Sequence, residues 1–170
     1  MDATRQRIRT HIADNPGVHF NAIGRQLDLA TGQTQYHLRQ LSRAGVVNSL
    51  SVVGQKHYYL PEFDPWEQRA LAFFRRETTR DILCTLLESG DMSAVELTES
   101  VGIARSTLSW HLSNLVEADL VVTSVTNGHT HIECCQPSQL AVLAELVSPS
   151  RTARLVDRFE RLVDDTLSGC

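Results

Sequence analysis

The sequence predicts a mainly α protein with small β-hairpins (α+β), built from two copies of one three-helix-and-hairpin unit with extra helices after each. Three observations carry this. Apolar residues recur at helical spacing in short runs punctuated by Gly and Pro. Each set of three runs is followed by a valine-rich stretch with a hairpin signal. The pattern also repeats at a shift of 74 positions: Ile8 meets Ile82, Ile12 meets Leu86, Ile23 meets Leu97, Leu41 meets Leu115 and Val47 meets Val121. Gly54 falls on Gly128, and Tyr36-His37-Leu38 on Trp110-His111-Leu112. Matched turn glycines over about 60 residues separate a true repeat from two unrelated amphipathic helices.

In chain order, residues 3–14 read as a helix with Ile8 and Ile12 inward, ended by Asn15-Pro16-Gly17. A second helix covers 20–27, and a third covers 31–44. In the third, Thr34, Leu38 and Leu41 form the apolar stripe and Gly45 supplies the stop. Val46 to Val53 reads as a strand, Gly54-Gln55 as the turn, and Lys56 to Leu60 as the return strand before Pro61. Two short helices joined by a tight turn and followed by a hairpin make a winged helix-turn-helix, whose second helix enters a DNA major groove. Asp64-Pro65-Trp66-Glu67 starts a further helix with a capping box. The second unit runs from about Thr78, through helices at 95–101 and 105–118, to strands joined by Asn127-Gly128. After Pro137 comes a helix carrying Leu140, Leu143 and Ala144, and residues 151–167 repeat Leu155, Phe159 and Leu162 at helical spacing. The expected organisation is 1–62 for the first domain, 63–77 for a linker helix, 78–136 for the second domain and 137–170 for C-terminal helices.

Charge separates the two units. Residues 1–60 hold seven Arg or Lys against three Asp or Glu, +4. Residues 81–136 hold one against eight, −7. Phosphate binding is therefore expected of the first unit, despite a net charge of −4 for the chain. The candidate DNA contacts are Gly32, Gln33, Gln35, Tyr36, Arg39 and Arg43 on helix 31–44, with Lys56 and His57 on wing 52–58. Gln pairs with adenine, and Arg with guanine or phosphate. In the second unit Arg105, Ser106 and Thr107 are weaker candidates. An outward Trp110 there suits a protein partner at least as well as DNA. His37 and His111 are expected to be structural, hydrogen-bonded histidines.

Trp66, Phe73, Phe74, Leu155, Phe159 and Leu162 lie on stripes that neither repeat's core requires, and are expected to form the interface of a homodimer; the alternative is that these helices fold back onto their own chain and bridge the two domains. His129, His131, Cys134 and Cys135 contain metal-binding residue types, but their spacing fits no standard zinc pattern and no metal or other cofactor is expected. Four cysteines without a framework spacing fit a reducing compartment. With no apolar run of membrane-spanning length and no leader-like start, a cytoplasmic protein is expected. Nothing resembles a phosphate loop, a nucleophile with its base or a carboxylate pair, so no enzyme is expected.

Residues Gln35 to Val47 resemble the recognition helix and strand entry of ArsR/MarR-like winged-helix repressors, as do Ser109 to Val121. The tandem arrangement resembles archaeal, haloarchaeal-type tandem winged-helix regulators over about 120 residues. This resemblance implies a dimeric, operator-binding transcription regulator with double-stranded DNA as its partner. Two departures stand out: Ala30 and Ala104 replace the usual Ser or Thr cap, and the cysteine motif of ArsR metal sensors is missing from Ala30 to Leu41. The competing readings are a protein–protein module, favoured by the acidic second unit, and a metal- or redox-responsive regulator.

Overall fold

The computed structural model describes residues 2–147. The chain divides into two compact units, Met1–Arg75 and Arg76–Cys170. The first contains α1 (Ala3–Asp14), β1 (Val18–His19), α2 (Phe20–Leu27), α3 (Thr31–Arg43), β2 (Asn48–Val52), β3 (Gln55–Tyr59) and α4 (Pro65–Phe74). The second contains α5 (Glu77–Ser89), β4 (Met92–Ser93), α6 (Ala94–Val101), α7 (Arg105–Glu117), β5 (Val121–Thr126), β6 (His129–Cys134) and α8 (Pro137–Val147). The shift of 74 carries α2 onto α6 and α3 onto α7 residue for residue.

Each unit holds a three-stranded antiparallel sheet, in the orders β1-β3-β2 and β4-β6-β5. The two-residue strands β1 and β4 have no period-2 signature and are not evident from sequence. They pair with the return strand of each hairpin, Val18 with Tyr58 and Met92 with Ile132. The first core gathers Ile8, Ile12, Ile23, Leu38 and Leu41 under Val47 and Tyr58. These are the inward positions of the sequence stripes.

The first hairpin turns one residue earlier than its sequence suggests. Val52 pairs with Gln55, so the turn residues are Val53 and Gly54, at φ +45° and +74°. Both must be left-handed in a primed turn, which a β-branched residue adopts at a steric cost. The second hairpin turns at Asn127-Gly128 as expected, with φ of +52° and +77°.

Helix α4 belongs to the first unit and packs along β2. Asp64 accepts from the Glu67 amide at 2.9 Å, and Glu67 accepts in return from the Asp64 amide at 2.8 Å, so the capping box forms. The Tyr59 hydroxyl donates to the Gln68 carbonyl at 2.7 Å, and Arg75 donates twice to the Pro16 carbonyl, at 3.1 and 3.0 Å. Burial raises the Tyr59 pKa and lowers that of Arg75, with each partly opposing the shift of the other. Gly17, at φ +79°, brings its backbone so near Leu71 that an added Cβ would sit 3.2 Å from it.

Phe73 and Phe74 are only 3% and 1% exposed. This corrects the expectation that they stand free for a dimer: a single chain already covers them. Trp66 is half-buried. Leu155, Phe159 and Leu162 lie outside the described residues.

Candidate nucleic-acid interface

Helix α3 starts at Ala30 without a side-chain oxygen to cap it. Instead Gln33 accepts from the Ala30 amide at 3.4 Å, and the Thr34 hydroxyl donates to the Ala30 carbonyl at 3.1 Å. Gln33 is thus engaged at the helix start while remaining exposed. With Thr34, Leu38 and Leu41 turned into the core, Gly32, Gln35, Tyr36, Arg39 and Arg43 project to solvent.

Between α3 and the sheet runs a groove of about 660 Å³, floored by Phe20, Leu38 and Tyr58. Gln35, Arg39 and Arg43 line one wall and Lys56 the other, so three cations converge on one surface concavity. The Lys56 ammonium lies 5.8 Å from the Tyr58 ring centroid, close enough for a cation–π contact. Thr31, Ser42 and Ser49 also line the groove and were not among the sequence candidates. Thr31, Gln35 and Arg39 are four residues apart on one helix edge, a spacing that would have revealed Thr31. Ser49 comes from β2, whose register was not available from sequence.

Tyr36 is 59% exposed and meets His37 edge-on at 5.2 Å between ring centroids. His37 Nδ1 lies 3.5 Å from the Asp2 carboxylate, at the start of α1.

His57 is not a DNA contact. It is 1% exposed, and its Nδ1 donates to the Gly17 carbonyl at 2.7 Å. The one-residue turn shift places Lys56 in the groove and leaves His57 on the core side of β3 opposite β1.

The second unit has the same concavity, about 580 Å³, between α7 and its hairpin. Arg105 and Ser106 line it; Thr107 is exposed but outside its lining. The chemistry differs. At the positions of Arg39, Arg43 and Lys56 stand Ser113, Glu117 and Thr130, and Ser42 is replaced by Val116. Among the described residues, Val95, Trp110, Val116, Val122, Val125, Val142 and Leu146 are the large exposed apolar side chains of this unit, against Tyr36 and Val53 in the first.

His111 is not the hydrogen-bonded histidine expected. It stacks edge-on against Trp110 at 4.8 Å, and its Nδ1 is buried without a hydrogen-bond partner. Burial lowers its pKa, and the nearby Arg76 guanidinium adds to the effect.

The His/Cys stretch does not converge. Ile132 and Cys134 alternate with His131 and Glu133 along β6, so the Cys134 thiol lies on the opposite face from the imidazoles. Burial pushes that thiol's pKa up to about 12, with Cys135, Cys84 and Glu133 adding, so it stays protonated at neutral pH. His131 instead approaches the Asp91 carboxylate at 3.1 Å. Among the described residues no three His, Cys, Asp or Glu side chains form a metal-binding group.

Known families match both units. Residues 2–71 match a family of N-terminal HTH domains, a span that includes most of α4. Residues 75–122 match a family described as winged helix-turn-helix DNA-binding. The uncharacterized HTH-type transcriptional regulator MJ1398 of Methanocaldococcus jannaschii is 29% identical over 89 residues, covering 52% of this chain. The chain spans about a fifth of that relative's length, 22%. The transcriptional repressor BigR of Xylella fastidiosa aligns at 25% identity and a TM-score of 0.43, over 48% of this chain and 82% of that one. Each unit has the winged helix-turn-helix fold, three helices and a hairpin, and the two matched families cover the first and the second unit in turn.

Proposed function

We propose that the protein is a sequence-specific, DNA-binding transcription regulator that acts as a homodimer. The first unit holds the DNA. Helix α3 enters the major groove with Gln35, Tyr36, Arg39 and Arg43, and the wing sets Lys56 against the backbone. The observation that carries this reading is the convergence of Arg39, Arg43 and Lys56 on one groove beside an exposed recognition helix. The matched families and the name of the archaeal relative point the same way.

The second unit keeps the fold of a DNA-binding domain without its cations, and it contributes little to phosphate binding. Its exposed apolar side chains suit a protein partner. Among the described residues no helix is long and apolar enough to cross a membrane. Electrophoretic mobility shift against a selected duplex tests the reading. Arg39→Ala and Arg43→Ala should weaken the shift, whereas Ser113→Ala should not. Equal losses would place the DNA on both units.

A further inference from the structure

We propose that strand β5 is a self-pairing edge: it adds antiparallel to β5 of a second copy of this chain, about a two-fold axis at Thr123, and joins two three-stranded sheets into one. The proposal names the contact surface of the homodimer proposed above, and it rests on that reading.

The backbone leaves β5 open along one side. The order β4-β6-β5 puts it at the edge of its sheet. Its register with β6 runs without a break from Val121–Cys134 to Thr126–His129, so no bulge bends the edge away. The Cys135 amide donates to the Leu120 carbonyl at 2.9 Å, which makes Leu120 and Cys135 a hydrogen-bonded pair. Bonded and non-bonded pairs alternate along an antiparallel ladder. Val122, Ser124 and Thr126 therefore bond to β6, while Val121, Thr123 and Val125 turn their N–H and C=O groups outward. Among the described residues no hydrogen bond reaches those outward groups.

The first unit treats its edge differently. There α4 packs along β2. The helix that follows the second hairpin, α8, packs on α5 instead. Strand β5 also carries none of the lysines or prolines that commonly blunt an edge. It reads Val-Val-Thr-Ser-Val-Thr, uncharged throughout and β-branched everywhere but Ser124.

A second copy of the same strand fits this edge. With Thr123 on the axis, Thr123 faces Thr123, and Val121 faces Val125 on either side of it. Each of these pairs exchanges two backbone hydrogen bonds. Thr opposite Thr is a favourable cross-strand pair, and Val121 with Val125 buries apolar surface, Val125 being 74% exposed in the single chain. Between them Val122 faces Ser124. No charge is set against its like, although residues 81–136 are acidic as a whole. The contact is its own complement, and it closes at a dimer.

The test is a charge exchange at the axis. Light scattering should give a dimer for the full chain. Thr123→Lys and Thr123→Glu, each alone, set like charges face to face and should raise the dimer dissociation constant about tenfold or more. Mixed in equal amounts, the two variants should dimerise again, because lysine then faces glutamate. Thr123 is exposed, so circular dichroism should be unchanged. Val125→Glu should also weaken the dimer, whereas Val142→Glu, on the exposed side of α8, should not. Amide hydrogen exchange at Val121, Thr123 and Val125 should be slow in the dimer and fast in Thr123→Lys. If the wild type is dimeric but Thr123→Lys dimerises as well, the mixture recovers nothing, or the three amides exchange fast, the assignment to β5 fails and the dimer reading stands. A monomeric wild type overturns both. Slow exchange at the three amides in a monomer would give the edge to another segment of the same chain, which overturns the proposal too.

Discussion

Arg43 and Glu117 occupy the same position in the two units, the last residue of the helix that follows the tight turn. One fold thus carries opposite charge at the C-terminal end of equivalent helices. Arg39 against Ser113 and Lys56 against Thr130 extend the contrast. Helix-turn-helix geometry supplies the shape of a DNA site, but the affinity comes largely from cations placed on phosphate.

If shape is already present in the second unit, charge alone should restore function. Ser113→Arg, Glu117→Arg and Thr130→Lys together should raise DNA affinity and steepen its salt dependence, by about 0.9 in log–log slope for each new phosphate contact. Fluorescence anisotropy at a series of salt concentrations measures both. Unchanged affinity and slope would show that the second groove differs in more than charge.

Alanine substitutions at Arg39 and Arg43 distinguish base reading from phosphate contact. Alanine at a base-reading position should cost about 1–3 kcal/mol and relax preference at one base pair. Alanine at a phosphate position should weaken all duplexes alike and lower the salt slope. Binding to a panel of single-base-pair variants distinguishes the two for each arginine.

The left-handed Val53 marks a place where the first wing is locally strained. Asn occupies the equivalent position 127 and tolerates that conformation through its short polar side chain. Val53→Asn should therefore stabilise the first unit, by about 1 kcal/mol. Chemical denaturation checks it, and a loss of stability would show that the Val53 side chain makes a favourable contact in the wing.

Much of this architecture is legible in the sequence because it depends on local periodicity. The helices carrying Ile8, Leu38, Leu97 and Leu115 are visible from apolar spacing, and the repeat places their counterparts. What escapes is non-local. Strands β1 and β4 exist only because a return strand pairs with them, and His57 looks like a wing cation until β1 covers it. Phe73 and Phe74 look unpartnered because burial of α4 depends on contacts distant in sequence, such as Arg75 with Pro16. The basic side of the groove is half legible: the arginines follow from helix spacing, while the placement of Lys56 depends on a turn one residue away from the expected one.

That burial of α4 makes a prediction of its own. Tyr59→Phe removes a buried hydrogen bond to the Gln68 carbonyl, which keeps its intrahelical donor, and should cost about 0.5–1.5 kcal/mol. Thermal unfolding of the fragment 1–75 measures the loss. No change would mean that the carbonyl finds another donor.

His111 gives the second unit a pH dependence. Its folded-state pKa lies below the ordinary value of 6.5, so the unfolded chain takes up the proton more readily. Stability from this group is present above about 6.5 and falls as pH drops through that value towards the lower folded pKa. His111→Gln should flatten this part of the profile. Denaturation midpoints from pH 8 to 5 would show it, and an identical slope in the variant would assign the dependence to other groups.

The central claim is that DNA is held by the cations of the first groove. The most direct measurement is the salt dependence of DNA binding for the full chain and for the triple variant Arg39→Ala, Arg43→Ala, Lys56→Ala. If all three contact phosphate, the log–log slope should fall by about 2.7, at 0.9 for each contact, with affinity reduced at every salt concentration. A triple variant with the slope and affinity of the wild type would contradict the account.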